Sequence, residues 1–170
     1  VRVTHSIPDA VAVVLHTEHG AIVHTGDFKL DMTPVDGRPV DIDRLRALGD
    51  AGVALLMADS TNAENPGTTP SEMTVGPSMR RIIGEAPGRV IVTSFASQIH
   101  RLQQVIDAAT YAGRKVCVIG RSMVRNLNIS RNLGYARMDD DLLIRPRDLE
   151  ATRPDQVVIV CTGSQGEPRS

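Results

Sequence analysis

The 170 residues carry 41% hydrophobic side chains, enough for one compact domain or parts of two with an ordinary soluble composition. With 19 Lys and Arg against 20 Asp and Glu, the net charge of −1 supplies no global field for nucleic acid or anionic lipid, so any RNA binding needs a local cluster of basic groups and helix ends. Aromatics at 2%, with no Trp, argue against a base-stacking platform, Phe95 being the one well-placed exception. The apolar runs last about five or six residues, too short for a membrane span. Cys117 and Cys161 each lie in a β-branched run and read as small buried hydrophobes, so neither a disulfide nor a thiolate metal site is expected and a reducing cytoplasm is the default. The chain starts at Val1 and stops just after Thr162-Gly163-Ser164-Gln165-Gly166-Glu167-Pro168. Neither end reads as a natural terminus, and an internal fragment of a longer protein is expected.

Residues 11–15 and 21–25 are short apolar runs separated by Thr17-Glu18-His19-Gly20, a hairpin with Gly in the turn. Alternation in the second run puts Ile22 and His24 on one face and Val23, Thr25 and Asp27 on the other, so His24 and Asp27 are not expected to converge. Residues 31–39 read as a loop, and residues 41–48 as a short amphipathic helix with an acidic first turn, ended by Gly49 and Gly52. Residues 53–58 form a continuous apolar run, expected as a strand buried on both faces, and end in Asp59-Ser60-Thr61-Asn62. Residues 62–70 hold two prolines and a glycine without periodicity, which places a domain boundary there and divides the chain into 1–69 and 70–170.

Beyond the boundary, strands alternate with polar turns and helices. Ser71 is expected to cap a helix running towards Ala86, interrupted at Gly76-Pro77, ahead of a strand at 89–93. Ile99, Leu102, Ile106 and Ala109 form a helical stripe that packs on a sheet while Gln103 and Asp107 stay wet. A strand at 115–119, a helix at 122–133 and a strand at 157–161 follow, with Asp139-Asp140-Asp141 as a solvated loop. This alternation implies an α/β fold with a mostly parallel sheet.

Two strands end in carboxylates. Asp27, after His24-Thr25-Gly26, is a candidate metal ligand, because a carboxylate just past a strand end has a rigid support, faces a cleft and can bind one cation or bridge two. His5 is a second candidate; taken singly, each also reads as a polar residue at a strand end. His16, His19 and His24 read as surface or satisfied histidines. In the second half three strands end in similar turns, bearing Ser94 and Ser97, Arg121 and Ser122, and Ser164. In a parallel sheet these turns lie at one edge, where a Ser at a helix N-cap with backbone N–H groups suits a phosphate, and His100 and Arg101 add local positive charge. Ordinary helix capping is the alternative for each turn.

Six ordered motifs carry a family resemblance: Thr4-His5-Ser6-Ile7-Pro8-Asp9, His24-Thr25-Gly26-Asp27-Phe28-Lys29, Ala58-Asp59-Ser60-Thr61-Asn62-Ala63-Glu64, Ser94-Phe95-Ala96-Ser97-Gln98-Ile99-His100-Arg101, Gly120-Arg121-Ser122-Met123 and Thr162-Gly163-Ser164-Gln165-Gly166-Glu167-Pro168. Over essentially its whole length the chain resembles ribonuclease J, of the β-CASP branch of the metallo-β-lactamase superfamily. The resemblance implies the C-terminal part of a metallo-β-lactamase αββα sandwich at 1–69, followed by part of a β-CASP parallel α/β domain at 70–170. It implies a cytoplasmic, two-zinc phosphodiesterase acting on single-stranded RNA as 5′-to-3′ exonuclease and endonuclease, able to form a homo-oligomer and without membrane attachment. His5 would bind one zinc, Asp27 would bridge two, and Asp59 would be the carboxylate beside the site. The family's His-x-His-x-Asp-His motif, its C-terminal metal histidine and its proton-donating histidine find no match in this chain, so the fragment alone is expected to be inactive and to bind zinc poorly. Two rivals are a non-catalytic phosphate- or nucleotide-binding module and a metallo-β-lactamase-fold hydrolase of a small ester or thioester.

Overall fold

The Thr17 hydroxyl donates to the Gly20 carbonyl at 2.8 Å and accepts from the His19 N–H at 3.2 Å, closing the first hairpin. Gly20 sits at φ 115°, a conformation side chains rarely adopt. In this computed structural model, which describes residues 1–163, strands β1 (Val13–Thr17) and β2 (Gly20–His24) therefore pair antiparallel, from Val13 opposite His24 to Thr17 opposite Gly20. Alternation holds in β2: Ala21 and Val23 are buried and His24 is exposed. Strand β3 (Val53–Met57) adds parallel to β2, giving a three-stranded sheet in the order β1-β2-β3. A small core of Val3, Ala12 and Val40, flanked by Phe28, Ile42 and Leu45, lies in the same unit, which spans Val1–Met73.

Two expectations change here. Helix α1 (Ile42–Ala51), capped by Asp41 accepting from the Arg44 N–H at 3.1 Å, runs through Gly49 and stops only at Gly52. Gly52 has φ 92°, so it, and not Gly49, supplies the left-handed exit. Strand β3 is exposed along its whole length, Leu56 by 59%, rather than buried on both faces. Val53, Leu55 and Met57 on one face and Leu56 on the other all stay exposed, so among the described residues neither face is covered, and the strand stands at the edge of its sheet.

The second compact unit begins at Thr74. Helix α2 (Val75–Glu85), strand β4 (Val90–Thr93), helix α3 (Ile99–Tyr111), strand β5 (Lys115–Ile119), helix α4 (Arg121–Asn132), strand β6 (Leu143–Ile144) and strand β7 (Val157–Cys161) build a four-stranded, wholly parallel sheet in the order β4-β7-β5-β6. The α/β class with a parallel sheet is thus as read from the alternation. Ile83 of α2, Leu102, Val105 and Ile106 of α3, and Met123 and Leu127 of α4 pack with Val116, Val118, Val158 and Val160 in one core. The opposite face buries Cys117, Val157 and Ile159 against Ile144 and Leu149. Burial pushes the Cys117 thiol up from its ordinary pKa, as suits an inert core residue.

Helix α2 is not interrupted at Gly76-Pro77. Both fall in its first turn, where a missing proline N–H costs no helical hydrogen bond. Ser71 does not cap it either: a short 3-10 turn, Glu72–Thr74, intervenes, and the Ser71 Oγ accepts from the Met73 N–H at 3.2 Å. At the other end Arg114, 5% exposed, donates to the Gly88 carbonyl at 2.8 Å and to the Ala86 carbonyl, satisfying acceptors left by the end of α2. The acidic triplet is solvated but paired, Asp140 with Arg131 and Asp141 with Lys115 at 3.2 Å. Strand β6, two residues long, has no legible pattern of its own.

Candidate active site

Thr4 and Lys29 form an antiparallel bridge, the Lys29 N–H donating to the Thr4 carbonyl at 2.8 Å. This single bridge brings the segment that carries His5 beside the segment that carries Asp27 and Phe28. Gly26 makes the turn that carries Asp27 off the end of β2. It has φ 61°, and a Cβ there would lie 3.2 Å from the Val11 carbonyl oxygen. Thr25 secures the turn from both sides, donating to the Gly26 carbonyl at 2.7 Å and accepting the Asp59 N–H at 3.0 Å. Asp27 is exposed; His5 and Asp59 are half-buried.

The Asp59 carboxylate is held on both oxygens. Oδ1 accepts from the Thr61 hydroxyl at 2.7 Å and the Thr61 N–H at 3.0 Å, and Oδ2 accepts a longer contact, 3.4 Å, from the Phe28 N–H. The Thr61 hydroxyl and N–H lower the carboxyl below the usual carboxylate range, burial opposes this, and the Phe28 N–H and the charge of His5 add to it. His5, the Asp27-Phe28 peptide and Asp59 thus converge from three separated segments, and the Ser6 hydroxyl lies 3.2 Å from His5 Nδ1. His24 turns elsewhere, its Nδ1 accepting the Gly26 N–H at 3.0 Å. Among the described residues no three His, Cys, Asp or Glu side chains form a group able to hold a metal ion. The described residues therefore do not fit a two-zinc centre by themselves.

Asp31 escaped sequence reading. It is 5% exposed, and its carboxylate accepts from the Thr33 N–H at 3.0 Å, the Ser71 hydroxyl at 2.9 Å and the Glu72 N–H at 3.1 Å, with Lys29 Nζ 3.8 Å away. Burial raises its pKa, but these hydrogen bonds and Lys29 outweigh it, so the carboxyl lies below its ordinary value. Its own N–H donates to Thr4 Oγ1 at 3.0 Å, so Asp31 also braces the bridge beside His5. The Asx turn to Thr33 was legible in Asp31-Met32-Thr33-Pro34. The contact to Ser71, across 40 residues, was not.

In the second unit the turn bearing Ser94 and Ser97 and the start of α4 bearing Arg121 and Ser122 share one edge. Thr93 and Ile119 both stand in register with Cys161, so β4, β7 and β5 end level, and the Ser94 N–H donates to the Cys161 carbonyl at 3.1 Å. Asn126 of α4 ties the first turn down by donating to the Ala96 carbonyl at 2.9 Å. The expected serine caps are corrected: Gln98 caps α3 and Gly120 caps α4, neither with a side-chain cap bond. Ser97 stands one residue too early and Ser122 lies inside its helix. Ser97, Arg121 and Ser122 are exposed, Arg101 is half-buried, and Ser94 and His100 are buried. The Ser94 hydroxyl donates to Gln98 Oε1 at 2.8 Å. Phe95 is 49% exposed at this edge. Ser164 lies outside the described residues.

Residues 87–170 match the family model described as Ribonuclease J, beta-CASP domain. Proteins named Ribonuclease J are similar to this chain over nearly its whole length: that of Mycolicibacterium smegmatis is 54% identical across 98% of the chain, and that of Thermus thermophilus is 54% identical across 99%. The chain belongs to the ribonuclease J family. The Helicobacter pylori (strain J99) ribonuclease J is 47% identical across the full chain. The chain spans 30%, 29% and 25% of the lengths of these three ribonuclease J relatives, respectively. The His5, Asp27 and Asp59 segments lie ahead of the matched residues, and the serine-bearing edge lies within them.

Proposed function

We propose that the protein to which this chain belongs is a zinc-dependent ribonuclease that cleaves single-stranded RNA as a 5′-to-3′ exonuclease and as an endonuclease, in RNA processing and decay. The observation that carries the reading is the convergence of His5, the Asp27-Phe28 peptide and the ionised Asp59, supported by the names and identities of the relatives. His5 and Asp27 contribute ligands to a two-zinc centre whose remaining ligands lie outside the described residues. The zincs supply Lewis acidity and an acidified water when bound. This chain's own part is to hold Asp59 ionised, through Thr61 and the Phe28 N–H, and to aim Asp27 through the Gly26 turn.

The second unit supplies recognition. Ser97, Arg121 and Ser122 meet a phosphate, Phe95 offers a face for one base, and Ser94 and His100 shape the turn from beneath, with Arg101 adding charge to the hydroxyl-bearing edge. Among the described residues no helix is long and apolar enough to cross a membrane, and a cytoplasmic enzyme, able to form a homo-oligomer, suits an RNA substrate.

The test is cleavage of 5′-monophosphorylated RNA by the full-length protein. Activity is expected to vanish on chelation, return with zinc, and fall by orders of magnitude in Asp27→Ala and Asp59→Ala. Activity without metal, or undiminished in Asp27→Ala, overturns the assignment. The exposed Ser97, Arg121 and Ser122 at the level ends of β4 and β5 favour a second reading for this stretch taken alone, a phosphate-binding module without catalysis. Binding of a mononucleotide by the separated stretch, lost in Arg101→Ala and indifferent to chelator, would bear that out.

A further inference from the structure

The outward face of α4 is unlike an ordinary solvated helix. Met123, Leu127 and Ser130 face the core, while Val124, Arg125, Asn128, Ile129 and Asn132 point outwards. These five, with Ile119 at the end of β5 and Pro146 just after β6, wall an open groove of about 660 Å³. Val124 is 40% and Ile129 49% exposed, so the groove, which starts at the carboxyl edge of the parallel sheet where open α/β sheets take ligands and runs back along α4, has apolar walls. Arg121 and Arg125 line it, and none of its lining residues is acidic. A second cleft in this unit differs: Arg80, Arg131 and Arg137 share it with Asp107 and Asp139, and Arg131 is paired with Asp140. The α4 groove, by contrast, carries positive charge with no acidic residue in its walls.

We propose that the α4 groove is a second nucleotide subsite, holding a further residue of a single-stranded RNA whose phosphate is bound at the serine-bearing edge. The inference rests on the ribonuclease reading above. Arg125 meets a phosphate, Val124 and Ile129 receive the face of a base, and Asn128 and Asn132 offer amide donors and acceptors to base or sugar. Charge complementarity decides the occupant: apolar walls rimmed by guanidiniums and amides, without carboxylates, suit an alternation of phosphate and base. Arg121, at the start of α4, belongs to both sites and joins them.

The experiment measures binding of an uncleavable 5′-monophosphorylated 2′-O-methyl decaadenylate to the full-length protein across a salt series. Arg125→Ala is expected to weaken binding about tenfold and make the log–log salt dependence shallower by about 0.7, the loss of one single-strand phosphate contact. Ile129→Ala is expected to weaken binding with the salt slope unchanged, since it removes a base contact only. Both side chains are exposed, so folding is spared. If the unaltered protein binds the oligonucleotide and both variants match it in affinity and slope, the subsite is overturned and the groove belongs to a protein surface. If the unaltered protein binds no RNA, the ribonuclease reading falls with it.

Discussion

Ser71 Oγ donates a 2.9 Å hydrogen bond to Oδ2 of Asp31, fastening the end of the first unit to the strand pair that carries His5 and Asp27. A buried carboxylate with four polar neighbours is stabilising only while it is charged.

Asp31→Asn is therefore expected to destabilise the first unit by about 2–3 kcal/mol, since charge-assisted bonds to Ser71, Thr33 and Glu72 are weakened or reversed. The folded carboxyl lies below its ordinary value, so its contribution is fully present above about pH 4 and is lost as pH falls through the lowered folded value. Amide exchange of residues 1–73 measured between pH 3 and pH 6 is the check: the steep loss of protection near the acid end should be blunted in Asp31→Asn.

Thr61 sets the ionisation of Asp59. Thr61→Val removes the 2.7 Å hydroxyl donor and leaves the N–H, so the Asp59 carboxyl should titrate at higher pH. A carboxyl-carbon NMR titration reads this directly, and the acid limb of a pH–rate profile for RNA cleavage should move upward with it. An unmoved titration would mean that the hydroxyl does not govern Asp59.

Gly26 aims Asp27. Gly26→Ala meets an unfavourable φ of 61° and the Val11 carbonyl oxygen at 3.2 Å, a strain of about 1–2 kcal/mol. The turn should relieve it by shifting Asp27, lowering RNA cleavage by about 10- to 100-fold with little change in RNA affinity.

Arg114 holds the end of α2. Arg114→Ala leaves the Ala86 and Gly88 carbonyls without their charged donor and should cost about 2–3 kcal/mol, read as faster amide exchange in α2 and β4. The exposed Arg81, which pairs with Glu85 at 3.6 Å, is the contrast: Arg81→Ala should change exchange by less than about 0.5 kcal/mol.

Periodicity and turn chemistry by themselves determined the hairpin at Gly20, the buried stripe of Ile99, Leu102, Ile106 and Ala109, the strands around Val116 and Val158, and the parallel α/β class, because these depend on neighbours a few residues apart. The ordered motifs also placed Asp27, Asp59 and the serine-bearing turns at strand ends. Only the tertiary structure decided what packs on what. The apolar run at Val53 becomes an exposed edge, since burial depends on what covers its two faces. Ser97 and Ser122 yield the caps to Gln98 and Gly120, since the helix start depends on how the turn is tied to β7 and α4. Asp31, Arg114 and the binding of Asp59 by the Phe28 N–H have partners 26 to 41 residues away. A polar residue in a loop carries no local sign of such a partner, because the hydrogen bond exists only once the distant backbone has been brought to it.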